Sequence, residues 1–257
     1  CFIFIHSKNI RMKKGRQDRI AETLTKIAIE KEIQIVICID EFQQISDFED
    51  SKTFQKKLRS VWQLQQHVSY CLFGSKKHLM NELFEKKNLP FYKFGDAIYL
   101  TKIETKYWIE YICKRFENTG KHISPELAEE ICRLVDNHSS YVQQLSWLLW
   151  IRTINTATTE QLTYALEDLL DQNNILFQSE TENLSAYQMN FLKAIVDGIH
   201  TKFSSKEVIS KYNLGTSANI VRLKNALLQK ELIETNGKEI VLADPVFGVW
   251  FKKEMLY

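Results

Sequence analysis

The sequence predicts an α/β part followed by an all-α part that ends in a winged helix. Three observations carry this. Apolar runs at 33–39 (IQIVICI), 68–73 (VSYCLF) and 97–100 (AIYL) stand between amphipathic segments. They lack polar alternation, as strands of a parallel sheet covered on both faces do. After Leu100 the apolar spacing becomes helical and stays so, until two short runs flank Asn236-Gly237 near the C-terminus. With 8 Gly and 3 Pro in 257 residues, the chain favours helices over a loop-rich β protein.

Taken in order, the first helix precedes the first run and places Ile20, Leu24 and Ile27 on one face. "CFIFI" at the start is a candidate further strand that leads into no glycine loop. Phe54, Leu58, Val61 and Trp62 share a face after the first run. Leu79 and Leu83 begin a third helix, ended by "NLPFYKFGD". Beyond Leu100, Thr105 can cap a helix carrying Trp108, Ile112 and Phe116, which Gly120 closes. Ser124-Pro125 opens the next, with Leu127, Ile131, Leu134 and Val135 inward. "SYVQQLSWLLWI" is a third, and Thr158 with Gln161 forms a capping box for a fourth.

The last part reads as helix, helix, turn, helix, hairpin. Ser185 with Gln188 and Ser204 with Glu207 are capping boxes for its first two helices, and Gly198 stops the first. "SANIVRLKNALLQK" turns Ile220, Leu223 and Leu227 inward, and Asn236-Gly237 joins two strands. The expected divisions are residues 1–100 for the α/β core, 101–178 for a helical subdomain and 179–257 for the winged helix.

Composition bounds the function classes. At 44% hydrophobic and 26% charged, the chain can bury cores for about two domains. A formal charge of +2 neither demands nor excludes nucleic acid. Five cysteines form no CxxC pair, so they read as reduced, buried thiols of a cytoplasmic protein. Six scattered histidines offer no metal-ligand spacing, and no run approaches the ~20 apolar residues of a membrane span. The chain lacks an initiator Met, and it is expected to begin partway through a longer protein.

The chemistry concentrates where the first run meets Asp40 and Glu41. An Asp at a strand end can hold the water shell of a Mg²⁺ ion on terminal phosphates, while the next Glu orients and deprotonates attacking water. The plainer reading is that Asp caps the following turn. The second run ends in "LFGSKKH", which sets Ser75 beyond the neighbouring parallel strand. Ligands of open parallel sheets bind there. A helix N-cap is the bland alternative for Ser75. Arg59 is a candidate phosphate contact, although a solvated Arg on an amphipathic helix explains it equally well.

Seven ordered segments now carry a resemblance: "IVICIDEFQ", "LRSVWQ", "YCLFGSKKHLMNELF", "PFYKFGD", "YVQQLSWLLW", "YNLGTSAN" and "DPVFGVWF". From about residue 18 onward, the chain resembles the archaeal/bacterial ATPase family, in the STAND-type branch of the AAA+ superfamily. The resemblance implies a P-loop NTPase core with a parallel sheet, a helical lid and a C-terminal winged helix. It also implies a nucleotide-dependent switch that uses ATP and Mg²⁺. By position, Asp40 matches the Walker B aspartate, Glu41 the catalytic glutamate and Ser75 sensor 1. Two departures stand out. The family usually reads His-Pro-Tyr-Tyr where this chain has His138-Ser139-Ser140-Tyr141, and the chain contains no GxxxxGK[ST]. That loop supplies the backbone cradle and the Lys for the β and γ phosphates. In AAA+ proteins its strand lies between the sensor-1 strand and the strand expected at 97–100. The core is therefore expected to be incomplete, and the chain inactive alone.

The winged helix has two readings, as a DNA-binding module or as a protein-docking module. Residues 185–257 hold ten Lys/Arg against seven Asp/Glu. Lys206, Lys211, Arg222 and Lys224 are the candidate nucleic-acid contacts, yet their density is low for a phosphate-binding face. The wing "ETNGKE" sets one Lys between acids. Trp147, Trp150, Phe247, Trp250 and Phe251 are expected in the core. A non-catalytic interaction protein is thus the rival to the switch ATPase.

Overall fold

A computed structural model describes residues 2–6 and 16–256, which fall into two compact units, Cys1–Tyr99 and Leu100–Tyr257. In the first, β1 (Phe2–His6), β2 (Ile35–Asp40) and β3 (Val68–Leu72) form a parallel sheet in the order β1-β2-β3. The connections run through α1 (Arg16–Glu30) and α2 (Ser51–Trp62). Both crossovers step in the same direction across the sheet. Right-handed connection then puts both helices on one face.

The register agrees. Ile3, Ile37 and Tyr70 are aligned across the strands. They share a core with Leu24 and Ala28 of α1, Leu58 and Trp62 of α2, and Leu83 of α3 (Lys77–Glu85). Trp62 stacks on Tyr70 at 4.0 Å. Residues of the other register, Ser69 and Cys71, are exposed on the opposite face. β3 has a partner strand on one side only, among the described residues.

Two expectations fail in this unit. Residues 97–100 form no strand, and Ile98 and Leu100 are 86% and 92% exposed. An apolar run becomes a strand only beside a strand with free backbone groups, and among the described residues none is paired with it. On α1 the inward residues are Ala21, Leu24 and Ala28, while Ile20 and Ile27 face solvent. Small Ala side chains at those positions let the helix lie close to its neighbours. "CFIFI", by contrast, does enter the sheet as β1.

The second unit contains α4 (Thr105–Glu117), α5 (Pro125–Leu134), α6 (Ser139–Arg152) and α7 (Thr159–Glu182). It continues with α8 (Ala186–Val196), α9 (Lys206–Tyr212), α10 (Ser217–Gln229), β4 (Ile233–Asn236), β5 (Glu239–Leu242) and α11 (Pro245–Leu256). The capping boxes at Thr158/Gln161 and Ser185/Gln188 are both formed. Ser124 caps α5 with Pro125 in its first turn.

Local chemistry shifts three other details. Ser205, not Ser204, caps α9 by accepting from Val208 N–H. Thr105 lies inside α4 and exchanges hydrogen bonds with Asn137. The hairpin loop is Gly237-Lys238, because Asn236 still pairs with Glu239. Positive φ at Gly237 alone in that loop is the pattern of a II′ turn.

One apolar core runs through all of this unit, from Trp108 and Leu145 to Phe191, Leu223 and Trp250. α11 packs on α7 through Phe247 and Trp250 against Phe177, and Trp250 Nε1 donates to Asn174 Oδ1 at 2.8 Å. Two of the expected core aromatics are not fully buried, although Trp150 packs against the core. Trp147 is 56% exposed. Trp150 is half-buried, under the Lys121 ammonium 3.9 Å from its ring centroid.

Candidate functional site

β2 is apolar as far as Ile39, and Asp40 is its first exposed residue. The chain then turns sharply, with Glu41 in the left-handed region at φ 52° and ψ 41°. For a residue with a Cβ this costs about 1–3 kcal/mol, so the surroundings must impose it. Asp40 Oδ1 accepts the Glu41 N–H at 2.9 Å. Phe73 N–H donates to the Ile39 carbonyl, and Phe42 N–H donates to the Phe73 carbonyl, each at 2.8 Å. Phe42, 1% exposed, packs among Trp62, Phe84 and Phe91. The apolar anchor after the turn thus offsets the strain at the acid.

These bonds bring the end of β2 against the segment beyond β3. Ser75 Oγ lies 3.3 Å from Glu41 Oε2, as donor to the carboxylate. Of the residues expected at the site, Asp40, Glu41 and Ser75 therefore meet at the carboxyl ends of two parallel strands. Arg59 is engaged elsewhere: its Nη1 donates to the carbonyls of Pro90 and Tyr92, and its guanidinium lies over Phe94. It ties down the 89–95 loop. Ser75 caps no helix, since α3 begins two residues later at Lys77.

Gln43 is the site residue that the sequence reading missed. It is 1% exposed, and its Nε2 donates to Glu41 Oε2, the same carboxylate oxygen that accepts from Ser75. Its Oε1 has no protein partner. Gly74 passes so close that a Cβ there would lie 2.4 Å from that oxygen and 2.5 Å from Met80 Sδ. The available signal was a polar residue between Phe42 and Ile45 in a stretch otherwise destined for the core.

Fit to a Mg²⁺–nucleotide group can be tested on these atoms. One exposed Asp beside a Glu and a hydroxyl suits Mg²⁺, which uses one or two carboxylates together with phosphate oxygens and water. Among the described residues no cluster of three or more His, Cys, Asp or Glu forms a protein-only metal cage. The sequence contains no GxxxxGK[ST] that could supply a phosphate cradle beside Asp40.

In the second unit, Lys206 and Lys211 on α9 and Arg222 on α10 are exposed, and Lys224 is half-exposed. Lys211 lies over the Tyr212 ring, and its polar interaction with the Tyr212 side chain, with the charges of Asp197 and Glu207 nearby, raises its ammonium above the usual range. Tyr141 donates its hydroxyl to Asp244, whose other oxygen accepts from Val246 and Phe247 N–H at the start of α11. Burial and this bond push the Tyr141 phenol up. Between α8, β5 and α11 lies a shallow apolar groove of about 480 Å³ on Val196, Leu242 and Val249, rimmed by Lys252 and Lys253. It contains no acid or nucleophile.

Residues 175–253 match the family model described as a probable winged helix domain. Among curated proteins, none matches the sequence. Among solved structures, the chain is similar to a Walker-type ATPase of Pyrococcus abyssi at 15% identity, with a TM-score of 0.68. The match covers 98% of this chain and 84% of that one. It is also similar to the ORC2 protein of Aeropyrum pernix in its ADPNP–ADP complexes, at 12% identity and a TM-score of 0.61. There it covers 100% of this chain and 80% of the other. The chain thus shares the helix-rich α/β fold of these two structures, and residues 175–253 carry a probable winged helix domain. Among the described residues no helix is long and apolar enough to cross a membrane.

Proposed function

We propose that this chain is the acid-bearing and output part of a nucleotide-dependent switch ATPase. The observation that carries the reading is the meeting of Glu41 and Ser75 at 3.3 Å, beside Asp40, beyond two parallel strands. The fold shared with the Walker-type ATPase supports it.

In this reading Asp40 would hold the water shell of Mg²⁺, which when bound would supply charge neutralisation at the terminal phosphates. Glu41 accepts a proton from the attacking water at its carboxylate. Ser75 and Gln43 fix that carboxylate in one rotamer, and the Ser75 hydroxyl can turn from Glu41 to a phosphate oxygen. The phosphate-gripping segment has to come from outside these 257 residues, because no GxxxxGK[ST] is among them. Arg59, engaged by the Pro90 and Tyr92 carbonyls, has no part in the proposal.

The test is phosphate release from Mg·ATP. These 257 residues alone give the uncatalysed rate. The complete gene product, with a strand leading into GxxxxGK[ST], turns over ATP, and Glu41→Gln lowers kcat about a hundredfold or more. A complete gene without such a segment, or an unchanged rate in Glu41→Gln, overturns the reading.

A second reading rests on the exposed cations of α9 and α10. Lys206 and Arg222 make no ion pair among the described residues. They suit a non-catalytic winged-helix module that binds DNA or a protein. Binding by residues 101–257 with equal affinity in Asp40→Ala full-length chain would favour it.

A further inference from the structure

We propose that Cys38 and Cys71 are a thiol–disulfide pair built into the sheet below the acid site. The two residues are aligned partners on adjacent parallel strands, β2 and β3, so their side chains leave the same face of the sheet. Strands lie about 4.7–4.9 Å apart, inside the Cα separation that a disulfide spans. Both thiols are free. That face is the one opposite α1 and α2, where Ser69 and Cys71 are exposed.

The two thiols differ in a way that fixes the order of reaction. Cys71 is exposed and meets an oxidant first, whereas Cys38 is buried on the adjacent strand beside it. With an oxidant of the dialkyl disulfide class, the Cys71 thiolate attacks one sulfur, forming a mixed disulfide and releasing one thiolate. The Cys38 thiolate then attacks Cys71 Sγ, closing Cys38–Cys71 and releasing the second thiolate. The two protein thiols lose two electrons and two protons, and the oxidant takes them up as two thiols. The other described cysteines are poorly placed to compete: Cys132 is fully buried, and Cys113 is half-buried with its Sγ against the Ile123 carbonyl at 3.8 Å.

The position gives the pair a consequence for the site. Cys38 is two residues before Asp40, and Cys71 is three before Gly74. A bond between them fixes the spacing of the strands that carry Glu41 and Ser75.

The full chain is treated with oxidised glutathione, blocked with N-ethylmaleimide and mapped by mass spectrometry. We expect one peptide pair joined through Cys38 and Cys71, lighter by two hydrogens than its parts and separated by dithiothreitol. In Cys38→Ser, Cys71 retains one glutathione; in Cys71→Ser, Cys38 is neither linked nor glutathionylated. A stable glutathione adduct at Cys71 of the natural chain overturns the proposal. So does alkylation of both cysteines, or a link from Cys71 to Cys1. Should Cys38→Ser fail to fold, the natural chain and the exposed-site variant Cys71→Ser decide the matter between them.

Discussion

Glu41 is held by two neighbours, and the place of one of them, Gln43, depends on a glycine. Gly74 leaves room for Gln43, and Gln43 reaches Glu41 only because Gly74 has no Cβ. Gly74→Ala is expected to cost about 1–3 kcal/mol, measured as a lower urea midpoint, since the new methyl displaces a buried amide and the Met80 thioether. Met80→Ala in that background should recover part of the loss, because one of the two obstructing groups is then gone. Additive costs in the double variant would count against this account. Asp40 and Glu41 were legible in the sequence, because two acids ending a buried strand stand out without any tertiary knowledge. Gln43 was not. Its partner is set by the left-handed turn at Glu41, and no local residue pattern announces a turn that tertiary packing enforces.

Among the elements, those encoded by local chemistry were the legible ones. Thr158 and Ser185 carry their capping partners three residues on, and both boxes form. The strand expected at 97–100 needed a neighbour, which its own sequence could not reveal, and it is irregular. The face of α1 was misjudged for a related reason: Ala is a poor sequence signal for burial, yet close packing selects it. The junction of α7 and α11 carries a pH-dependent element. Burial, reinforced by the charge of Asp244, raises the Glu180 carboxyl above its usual range. The folded chain therefore keeps this proton over a window above the ordinary carboxylate pKa in which the unfolded chain has lost it. Stability from this group is complete below the window and falls as pH rises through it. Glu180→Gln should raise Tm by about 1–2 °C near pH 8 and by less near pH 4, the effect being moderated by solvent at a half-buried site. A difference in Tm that does not vary with pH would contradict the assignment.

At the scale of the molecule there are two cores, one on each side of the Tyr99–Leu100 boundary. The sequence showed the change from sheet to helix near Leu100, because the hydrophobic period itself changes there. It did not show that the helical subdomain and the winged helix share one core. The division expected after residue 178 falls inside α7, and spacing alone cannot tell one continuous core from two. Residues 100–257 expressed alone should therefore fold, with helical circular dichroism and one cooperative urea transition. Two separated transitions, or a fragment that binds hydrophobic dye without unfolding cooperatively, would show that the two parts are energetically distinct.

α7 has 24 residues, about 36 Å at the helical rise, and α11 is bolted along it by Phe247 and Trp250. Leverage follows from that length. A displacement of α11 is carried to the start of α7 along one continuous helix.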